Sequence, residues 1–282
     1  MNNPICLCGA TKFDLLLKGE YSFIKRDGKS VYFEALKCLN CQLVVTNPPP
    51  DTNININTTN NSLPPIFSKP QEVYRYNYAN YRLHRLKPYL TPVTKNLEIG
   101  CSDGNLVEMV KQIGVKESIG VEVAKPIAEL GKSLGRDIRI MYLEECNFSS
   151  NYFDIIQAHH VIEHIPNLHE VLDEIYRILK PNGIFYVNVP RHNSIFVRSS
   201  PNWEGWYPQE HFWHFTEKTL VNLLSEHKFQ LVNLSCITAR NYYTENIQQD
   251  KLYRLKKIGK DLIKKFNLGD TLDVLFLKVP KV

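Results

Sequence analysis

Short apolar segments alternate with amphipathic segments of helical period from residue 94 onward. The helical period is clearest between residues 167 and 183, where the apolar side chains share one face and the helix is predicted to end at Pro-Asn-Gly. These apolar side chains are Leu168, Val171, Leu172, Ile175 and Leu179. Such alternation predicts an α/β fold with a parallel, doubly wound sheet, in which ligands bind at the carboxyl ends of the strands.

The remaining segments extend this pattern. A tyrosine-rich segment, "QEVYRYNYANYRLHRLKPYL", predicts a helix that leads into the main domain. Two closing strands are predicted in "FQLVNLSCI" and "TLDVLFLKV". Between them, residues 248–266 form a strongly basic amphipathic segment, which predicts either a solvated helix or a peripheral contact with an anionic membrane surface or a lipid-linked acceptor.

The bulk properties exclude several classes of function. A net charge of +5 over 282 residues is too small by itself to indicate a nucleic-acid partner. The opening "MNNPICLCGATKFD" lacks the basic start and apolar core of a signal peptide, and no apolar run is long enough to span a bilayer. We therefore expect a cytoplasmic protein, in which cysteines stay reduced.

Four of the seven cysteines form two close pairs, Cys6 with Cys8 and Cys38 with Cys41. In a reducing compartment, such pairs indicate a metal more than a disulfide, and four thiolates complete a closed, structural zinc site. Gly9 allows the backbone to turn tightly around the metal. The alternative is a set of buried free thiols.

The composition divides the chain into three parts. Residues 1–46 hold the cysteine pairs among short strand-like segments and are predicted to form a small zinc-binding module. Residues 47–70 are rich in Asn, Pro, Thr and Ser and predict a linker. The main domain is then expected to span residues 71–282.

A glycine loop, "NLEIGCSDGNLV" at residues 96–107, follows the first strand of the main domain. Ser102 occupies the place of the second glycine of a dinucleotide fingerprint, and Glu98 and Asp103 would bring negative charge close to phosphates. A carboxylate there better suits a ligand that carries a positive ammonium or sulfonium group, such as S-adenosylmethionine. Glu122 ends the next strand about 20 residues later, where an acidic side chain can accept both ribose hydroxyls. The alternative is a strand-turn-helix whose glycines only make a tight turn.

Several blocks together resemble the class I S-adenosylmethionine-dependent methyltransferases. They are "LEIGCSDG", "GVEV", the segment from "NYFDIIQAHHVIEH" to "LKPNG", and "PQEHFWHFTEKTLVNLL", which lie between about residues 90 and 237. The resemblance implies a mostly parallel, seven-stranded Rossmann-like sheet. The segment "CLNCQLVVTNPPP" also resembles the N-terminal zinc modules of one branch of this family. The cofactor-binding residues expected in this way are Glu98, Gly100, Ser102, Gly104, Glu122, Leu143, Glu144 and His159.

Methyl transfer requires an aligned acceptor and, for a hydroxyl or carbon acid, removal of a proton. Histidine suits that task near neutral pH, and it is concentrated in "HHVIEH" and in "WEGWYPQEHFWHF". Glu210 and His211 resemble the Glu-His pair of sugar C-methyltransferases, although Tyr207 lies one residue further away than in that family. We therefore expect His211 to be the general base, with Glu210, Tyr207 and His160 as further catalytic residues. The alternative is that His211 is a buried histidine that holds the loop in place.

These observations predict a methyltransferase that uses S-adenosylmethionine and contains one structural zinc ion. The resemblance and the aromatic loop favour a small hydroxylated acceptor, a sugar or sugar conjugate of surface-glycan or secondary metabolism. Two alternatives stay open. One is an RNA methyltransferase whose zinc module binds RNA, and the other is a non-catalytic scaffold with the same fold.

Overall fold

The computed structural model describes residues 4–22, 30–51, 69–195, 197, 200–238, 262 and 265–280. In these ranges the strands are β1 (Phe13–Ser22), β2 (Ser30–Cys38), β3 (Val44–Asn47), β4 (Lys95–Ile99), β5 (Glu117–Val121), β6 (Ile138–Arg139), β7 (Phe153–His159), β8 (Leu179–Pro190), β9 (Trp213–His214), β10 (Phe229–Ile237) and β11 (Thr271–Lys278). The α-helices are α1 (Lys69–Leu86), α2 (Asn105–Gln112), α3 (Lys125–Ser133), α4 (Leu168–Ile178) and α5 (Glu217–Glu226).

The larger sheet has seven strands in the order β10-β11-β8-β7-β4-β5-β6. The five strands β8, β7, β4, β5 and β6 are parallel to one another, whereas β11 runs antiparallel to both β8 and β10. The predicted fold class, a doubly wound and mostly parallel seven-stranded sheet, is confirmed. Parallel strands buried on both faces require helices on each side, and the chain supplies them.

Adjacent residues of β7 show how both faces of this sheet are covered. Ile155 packs with Leu86 of α1 and Tyr186 of β8 on one face. Ile156, which points to the opposite face, belongs to the large core that includes Leu172 of α4 and the other apolar residues of that helix. The side chains of β7 therefore alternate between two helical layers, as the period of two in a strand requires.

The end of α4 differs from its prediction. The helix ends at Ile178, and Leu179 is already extended and begins β8, where it pairs with Phe153. Proline disfavours a helical conformation in the residue before it and has no N–H to donate, so Pro181 limits how far the helix can extend. The "LKPNG" segment forms an irregular start to the strand, with a register shift before Ile184.

A smaller antiparallel sheet joins the N-terminal segment to the main domain. Its order is β1-β2-β3-β9, and β3 pairs with β9 through Val44 opposite His214 and Val45 opposite Trp213. Val45 also belongs to the same buried cluster as α4 and α5. Residues 52–68 of the predicted linker lie outside the described residues, and the predicted boundaries at 46 and 70 stay predictions.

Helix α1, predicted from the tyrosine-rich segment, is anchored to β11 by a buried carboxylate. Asp273 accepts hydrogen bonds from Arg85 (Nη2 to Oδ1, 3.0 Å), from Tyr186 (3.2 Å) and from Tyr81. Asp273 is fully buried, and such a group needs several donors to offset the loss of water. The anchor fixes the end of α1 against β8 and β11.

The basic segment 248–266 lies outside the described residues except at positions 262 and 265–266, so its predicted helix and membrane contact stay predictions. Among the helices that the structure describes, none combines the length and the apolar composition that crossing a bilayer requires.

Candidate active site

The turns that follow β4, β5 and β7 meet at one edge of the larger sheet, because the carboxyl ends of parallel strands lie together. The backbone N–H groups of Gly100 and Cys101 donate to the carbonyl of Val121, at 2.8 and 3.1 Å. These bonds bring the glycine loop after β4 against the end of β5. The turn after β7 begins with His160 and runs to His164.

Gly100 is the point at which the glycine loop contacts the turn after β7. Its φ is +66°, and a β-carbon at this position would lie 2.4 Å from Cγ2 of Val161. Only glycine satisfies both the left-handed backbone and this close approach. The glycine loop therefore makes a tight turn, as the strand-turn-helix alternative also requires. In addition, it is in direct contact with the turn after β7.

Glu122, which directly follows β5, accepts a hydrogen bond from the backbone of the glycine loop. Its Oε2 accepts the N–H of Ser102 at 2.8 Å, and its Oε1 accepts the N–H of Ala124 at the same distance. Burial raises the pKa of Glu122, and these backbone donors oppose that rise. A carboxylate has about four acceptor positions, so Glu122 can accept hydroxyl groups, such as those of a ribose, in addition to these backbone donors.

Glu98 lies at the end of β4 and is almost completely buried, with 1% of its surface exposed. Arg82 of α1 donates to its Oε1 at 2.7 Å, whereas Oε2 is buried without a hydrogen-bond partner. Burial raises the pKa of Glu98 to about 7, against the lowering effect of Arg82. A buried acceptor without a donor is costly, so the site suits a ligand that brings an N–H donor or a positive charge.

The charges around the glycine loop are therefore dominated by carboxylates. Asp103 is paired with Arg136 at 3.0 Å and Glu98 with Arg82, but Glu122 is held by backbone N–H groups alone. When all three are ionised, these carboxylates exceed by one the guanidinium groups that pair with them. The residues therefore fit a cofactor with an ammonium and a sulfonium group, such as S-adenosylmethionine, better than a dinucleotide.

Two further residues predicted to contact the cofactor lie in the turn after β6. Leu143 is buried, and Glu144 is exposed in the same 3-10 turn, Leu143–Cys146. Because β6 pairs with β5, this turn lies beside the strand that Glu122 directly follows.

His159, the last residue of β7, is held by its own strand and by β8. Its Nδ1 lies 2.7 Å from Oδ1 of Asn188, its Nε2 lies 3.0 Å from Oε1 of Gln157, and its ring packs edge-to-face on Tyr186. Burial and the nearby Arg82 guanidinium lower the pKa of His159 well below its usual value. A cofactor contact by His159 stays a prediction.

The residues predicted to act on the acceptor do lie together. Tyr207 donates to Oε1 of Glu210 at 2.9 Å, and Oε2 of Glu210 lies 3.8 Å from Nδ1 of His164. The rings of His164 and His211 meet edge-to-face with their centroids 4.4 Å apart. His160 joins the group from the start of the turn after β7, with its Nδ1 3.3 Å from Oε1 of Glu163.

His211 is 6% exposed, and its tautomer is set by its backbone neighbour. Its Nδ1 lies 2.9 Å from the carbonyl oxygen of Gly205, which requires the hydrogen on Nδ1 and leaves the lone pair on Nε2. Burial, together with His164 and His214, lowers the pKa of His211 well below its usual value. The neutral ring can use Nε2 to accept a proton or to bind a cation.

Sequence reasoning missed Glu163, which is fully buried in the middle of this group. His164 was not among the predicted catalytic residues, although it contacts both Glu210 and His211. An acidic residue inside an apolar turn and next to a histidine was the available signal. Two tryptophans of the segment "WEGWYPQEHFWHF" serve packing. Trp206 and Trp213 are 3% and 8% exposed, and each belongs to a core cluster.

The four predicted metal ligands of the N-terminal segment also converge. The sulfur atoms of Cys6 and Cys41 lie 3.4 Å apart, those of Cys8 and Cys38 lie 3.6 Å apart, and all four lie within 4.8 Å of one another. Zinc–sulfur bonds of about 2.3 Å place tetrahedral sulfur atoms roughly 3.8 Å apart, so the group has suitable dimensions. Burial raises the pKa of Cys6 and raises that of Cys41 to about 11. N–H donors from Ala10 and Asn40 lower the pKa of Cys8 to about 6 against the effect of burial.

The fold and the site define a protein of the S-adenosylmethionine-dependent methyltransferase class. A family model described as a methyltransferase domain matches residues 72–234, which is more than half of the chain, and the chain belongs to that family.

Curated relatives match over shorter regions. A sterol 4-C-methyltransferase, strm-1, of Caenorhabditis elegans is 33% identical over 99 residues, which is 32% of this chain and 29% of the relative. A mitochondrial ubiquinone biosynthesis O-methyltransferase of Dictyostelium discoideum is 27% identical over 39% of this chain and 43% of its own length. The C-methyltransferase NovU of Streptomyces niveus is 25% identical over 49% of this chain and 33% of its own length. This chain thus covers less than half of each of these relatives.

Solved structures share the fold. A S-adenosylmethionine-dependent methyltransferase from Archaeoglobus fulgidus superposes with a TM-score of 0.55 at 20% identity, over 74% of this chain and 97% of that chain. Phosphoethanolamine N-methyltransferase 2 of Haemonchus contortus, in complex with S-adenosyl-L-methionine, gives 0.55 at 17% identity, over 77% and 58% of the two chains.

We predict that Gly100→Ala destabilises the protein by about 2–4 kcal/mol, because it adds a left-handed backbone penalty to a clash with Val161. Gly114→Ala is the matched control, since Gly114 also has a positive φ but no atom within 4 Å of the place that a β-carbon would occupy. Urea unfolding measures both free energies of unfolding. The double variant Gly100→Ala/Val161→Ala should recover part of the loss, and equal costs for the two single variants would contradict the clash.

Proposed function

We propose that this protein transfers the methyl group of S-adenosylmethionine to a hydroxyl of a small hydroxylated acceptor, a sugar or sugar conjugate. One observation carries the proposal. Through Gly100 and Val161, the carboxylate-rich glycine loop contacts the turn that bears His160, Glu163 and His164. A site for a positively charged methyl donor thus adjoins a buried group of residues that can handle a proton, which favours an enzyme over a scaffold.

The cofactor side of the site follows from the family and from the local geometry. When bound, S-adenosylmethionine supplies an electrophilic methyl group on a positive sulfur. We assign Glu122 to the ribose hydroxyls, Glu98 to the positive methionine end, and Leu143 with Glu144 to the adenine. Gly100, Ser102 and Gly104 form the turn against which the methionine end packs, and His159 lies beside it.

The acceptor side is assigned to His160, Tyr207, Glu210 and His211. With S-adenosylmethionine bound, His211 would lie against the acceptor oxygen, and the Glu210–His211 pair would take the hydroxyl proton as the methyl group is transferred. Tyr207 orients Glu210 through its hydrogen bond to Oε1. Preorganised proton acceptors of this kind contribute about 10²–10⁴-fold to a rate.

A cavity of about 560 Å³ beside Trp206 is the proposed place for a sugar-like acceptor. Its lining is mixed and includes Leu16, Leu17, Val197, Lys37, Gln42, His192, Trp206 and Lys218. Trp206 packs against His214, whose ring lies 6.2 Å from that of His211. Hydrogen-bonding side chains beside apolar ones are compatible with a hydroxylated ring. The relatives named for sterol and ubiquinone pathways act on other acceptors, so the acceptor assignment rests on this cavity and on the Glu210–His211 pair.

We also propose that Cys6, Cys8, Cys38 and Cys41 hold one structural zinc ion. Asn40 supports the thiolates by donating from its backbone N–H to Cys38 and from its side-chain amide to Cys8. Such donors orient the ligands of closed zinc sites.

The zinc assignment predicts about one zinc ion per chain in protein purified without chelators, measured by plasma emission spectrometry. Cys8→Ser should lower that ratio and the melting temperature, because a four-thiolate site loses a ligand. Cys146→Ser, which alters a buried thiol outside the group, is the control and should retain the zinc. Zinc-free parent protein with all four thiols open to alkylation would refute the site.

The cofactor assignment predicts that Glu122→Ala weakens the binding of S-adenosylmethionine by a few kcal/mol, as the loss of charge-assisted hydrogen bonds should. Isothermal titration calorimetry measures the affinity. The control is Glu117→Ala, which removes a carboxylate from the opposite end of the same strand. A folded Glu122→Ala variant with parental affinity would rule out the ribose contact.

The acceptor assignment predicts that His211→Asn lowers the rate by about 10²–10⁴-fold while the affinity for S-adenosylmethionine is unchanged. Transfer of a labelled methyl group to a panel of sugars and sugar nucleotides measures the rate. His214→Asn is the control, because His214 is a buried neighbour whose Nε2 lies 2.8 Å from Oγ1 of Thr46. If His211 only holds the loop, both variants should lose stability alike and keep similar rates at saturating acceptor.

A further inference from the structure

Glu163 is a buried carboxylate for which the described structure offers no hydrogen-bond donor. Its side chain is fully buried, and neither Oε1 nor Oε2 has a hydrogen-bond partner. Its backbone is well held, since its carbonyl accepts the N–H of Phe212 at 2.9 Å. An ionised carboxylate out of water costs several kcal/mol unless a positive group compensates it. The position of Glu163 therefore calls for a cation.

The neighbours of Glu163 are suitable metal ligands. One oxygen of Glu163 and one ring nitrogen each of His164 and His211 lie within 4.8 Å of one another. In His211, the hydrogen on Nδ1 is held by the Gly205 carbonyl, and the Nε2 lone pair is available. A ring N–H bonded to a backbone carbonyl is the usual support of a metal-binding histidine. The nearby His160 and Glu210 can supply further donor atoms.

We propose that Glu163, His164 and His211 bind a divalent metal ion, separate from the four-cysteine site. Two imidazoles and one carboxylate suit first-row ions such as Mn²⁺, Fe²⁺ or Zn²⁺, and they leave coordination positions open for a substrate. A protonated His160 is an insufficient alternative, because its 3.3 Å approach to Glu163 does not form a hydrogen bond and its side chain is one-third exposed.

The metal would act in the transfer itself, and this part rests on the proposed function. The cation binds the acceptor hydroxyl and lowers its pKa. The hydroxyl proton passes to the carboxylate of Glu210, the oxygen forms its bond to the methyl carbon, and the carbon–sulfur bond breaks to leave a neutral thioether. His211 then assists as a metal ligand, and Glu210 is the member of the pair that takes the proton. Open positions on one ion favour an acceptor with two adjacent oxygens, a vicinal diol.

The test is the binding of Mn²⁺ to the full chain, followed by electron paramagnetic resonance and by the melting temperature. Mn²⁺ prefers nitrogen and oxygen ligands and does not compete for four thiolates. The parent should bind one ion and gain stability from it. Glu163→Gln should bind Mn²⁺ at least about tenfold more weakly. Without Mn²⁺, it should be at least as stable as the parent, because the substitution removes an unpaired buried charge.

Two variants keep the test decisive. Glu170→Gln, in the first turn of α4, is the matched control and should bind Mn²⁺ like the parent. His164→Asn replaces a second ligand and should also lose the ion, whatever the folding of Glu163→Gln. Equal Mn²⁺ binding by the parent, Glu163→Gln and His164→Asn would overturn the site, and so would parent protein that binds no Mn²⁺. Calorimetry with S-adenosylmethionine on the same samples separates these outcomes from a failure of the methyltransferase proposal, since cofactor binding does not require this ion.

Discussion

The contact between Gly100 and Val161 is the constraint on which the rest of the site depends. It joins the turn after β4 to the turn after β7, so two neighbouring strands deliver their functional residues to one place. The proposed cofactor site and the proposed acceptor site both depend on this proximity. The carboxylates of the glycine loop lie on one side of the contact, and the histidines that follow β7 lie on the other. A larger side chain at position 100 would separate the two.

Buried charge is distributed unevenly across this contact. On the cofactor side, Arg82 and Arg136 each offset one carboxylate, and backbone N–H groups hold Glu122. On the acceptor side, Glu163 has no such partner among the described residues, and the surrounding histidines are polar without a fixed positive charge. The protein thus compensates its buried carboxylates internally on one side and only incompletely on the other. Incomplete compensation is characteristic of sites whose ligands bring the missing charge.

Much of this arrangement is visible in the sequence, because it depends on local patterns. Apolar periodicity located β4, β5 and β7, and Glu122 and the glycine loop followed from their places at strand ends. Other features depend on tertiary contacts that no local pattern reports. Glu163 is one example, because its lack of a hydrogen-bond donor among the described residues depends on which residues surround it in the folded protein. The pairing of Val45 with Trp213 joins residues that periodicity cannot relate, and the early end of α4 reflects Leu179 entering a strand.

The pairing of β3 with β9 connects the four-cysteine segment to the segment that carries His211. Thr46 of β3 donates its hydroxyl to the carbonyl of His211 at 2.7 Å, and its N–H donates to the carbonyl of Phe212 at 3.1 Å. The segment that carries His211 is therefore held by a strand that begins just after Cys41. If the four cysteines bind zinc and His211 contacts the acceptor, as proposed above, ordering of that strand would connect the two sites. Under that condition zinc and acceptor would change each other's affinity by the same factor.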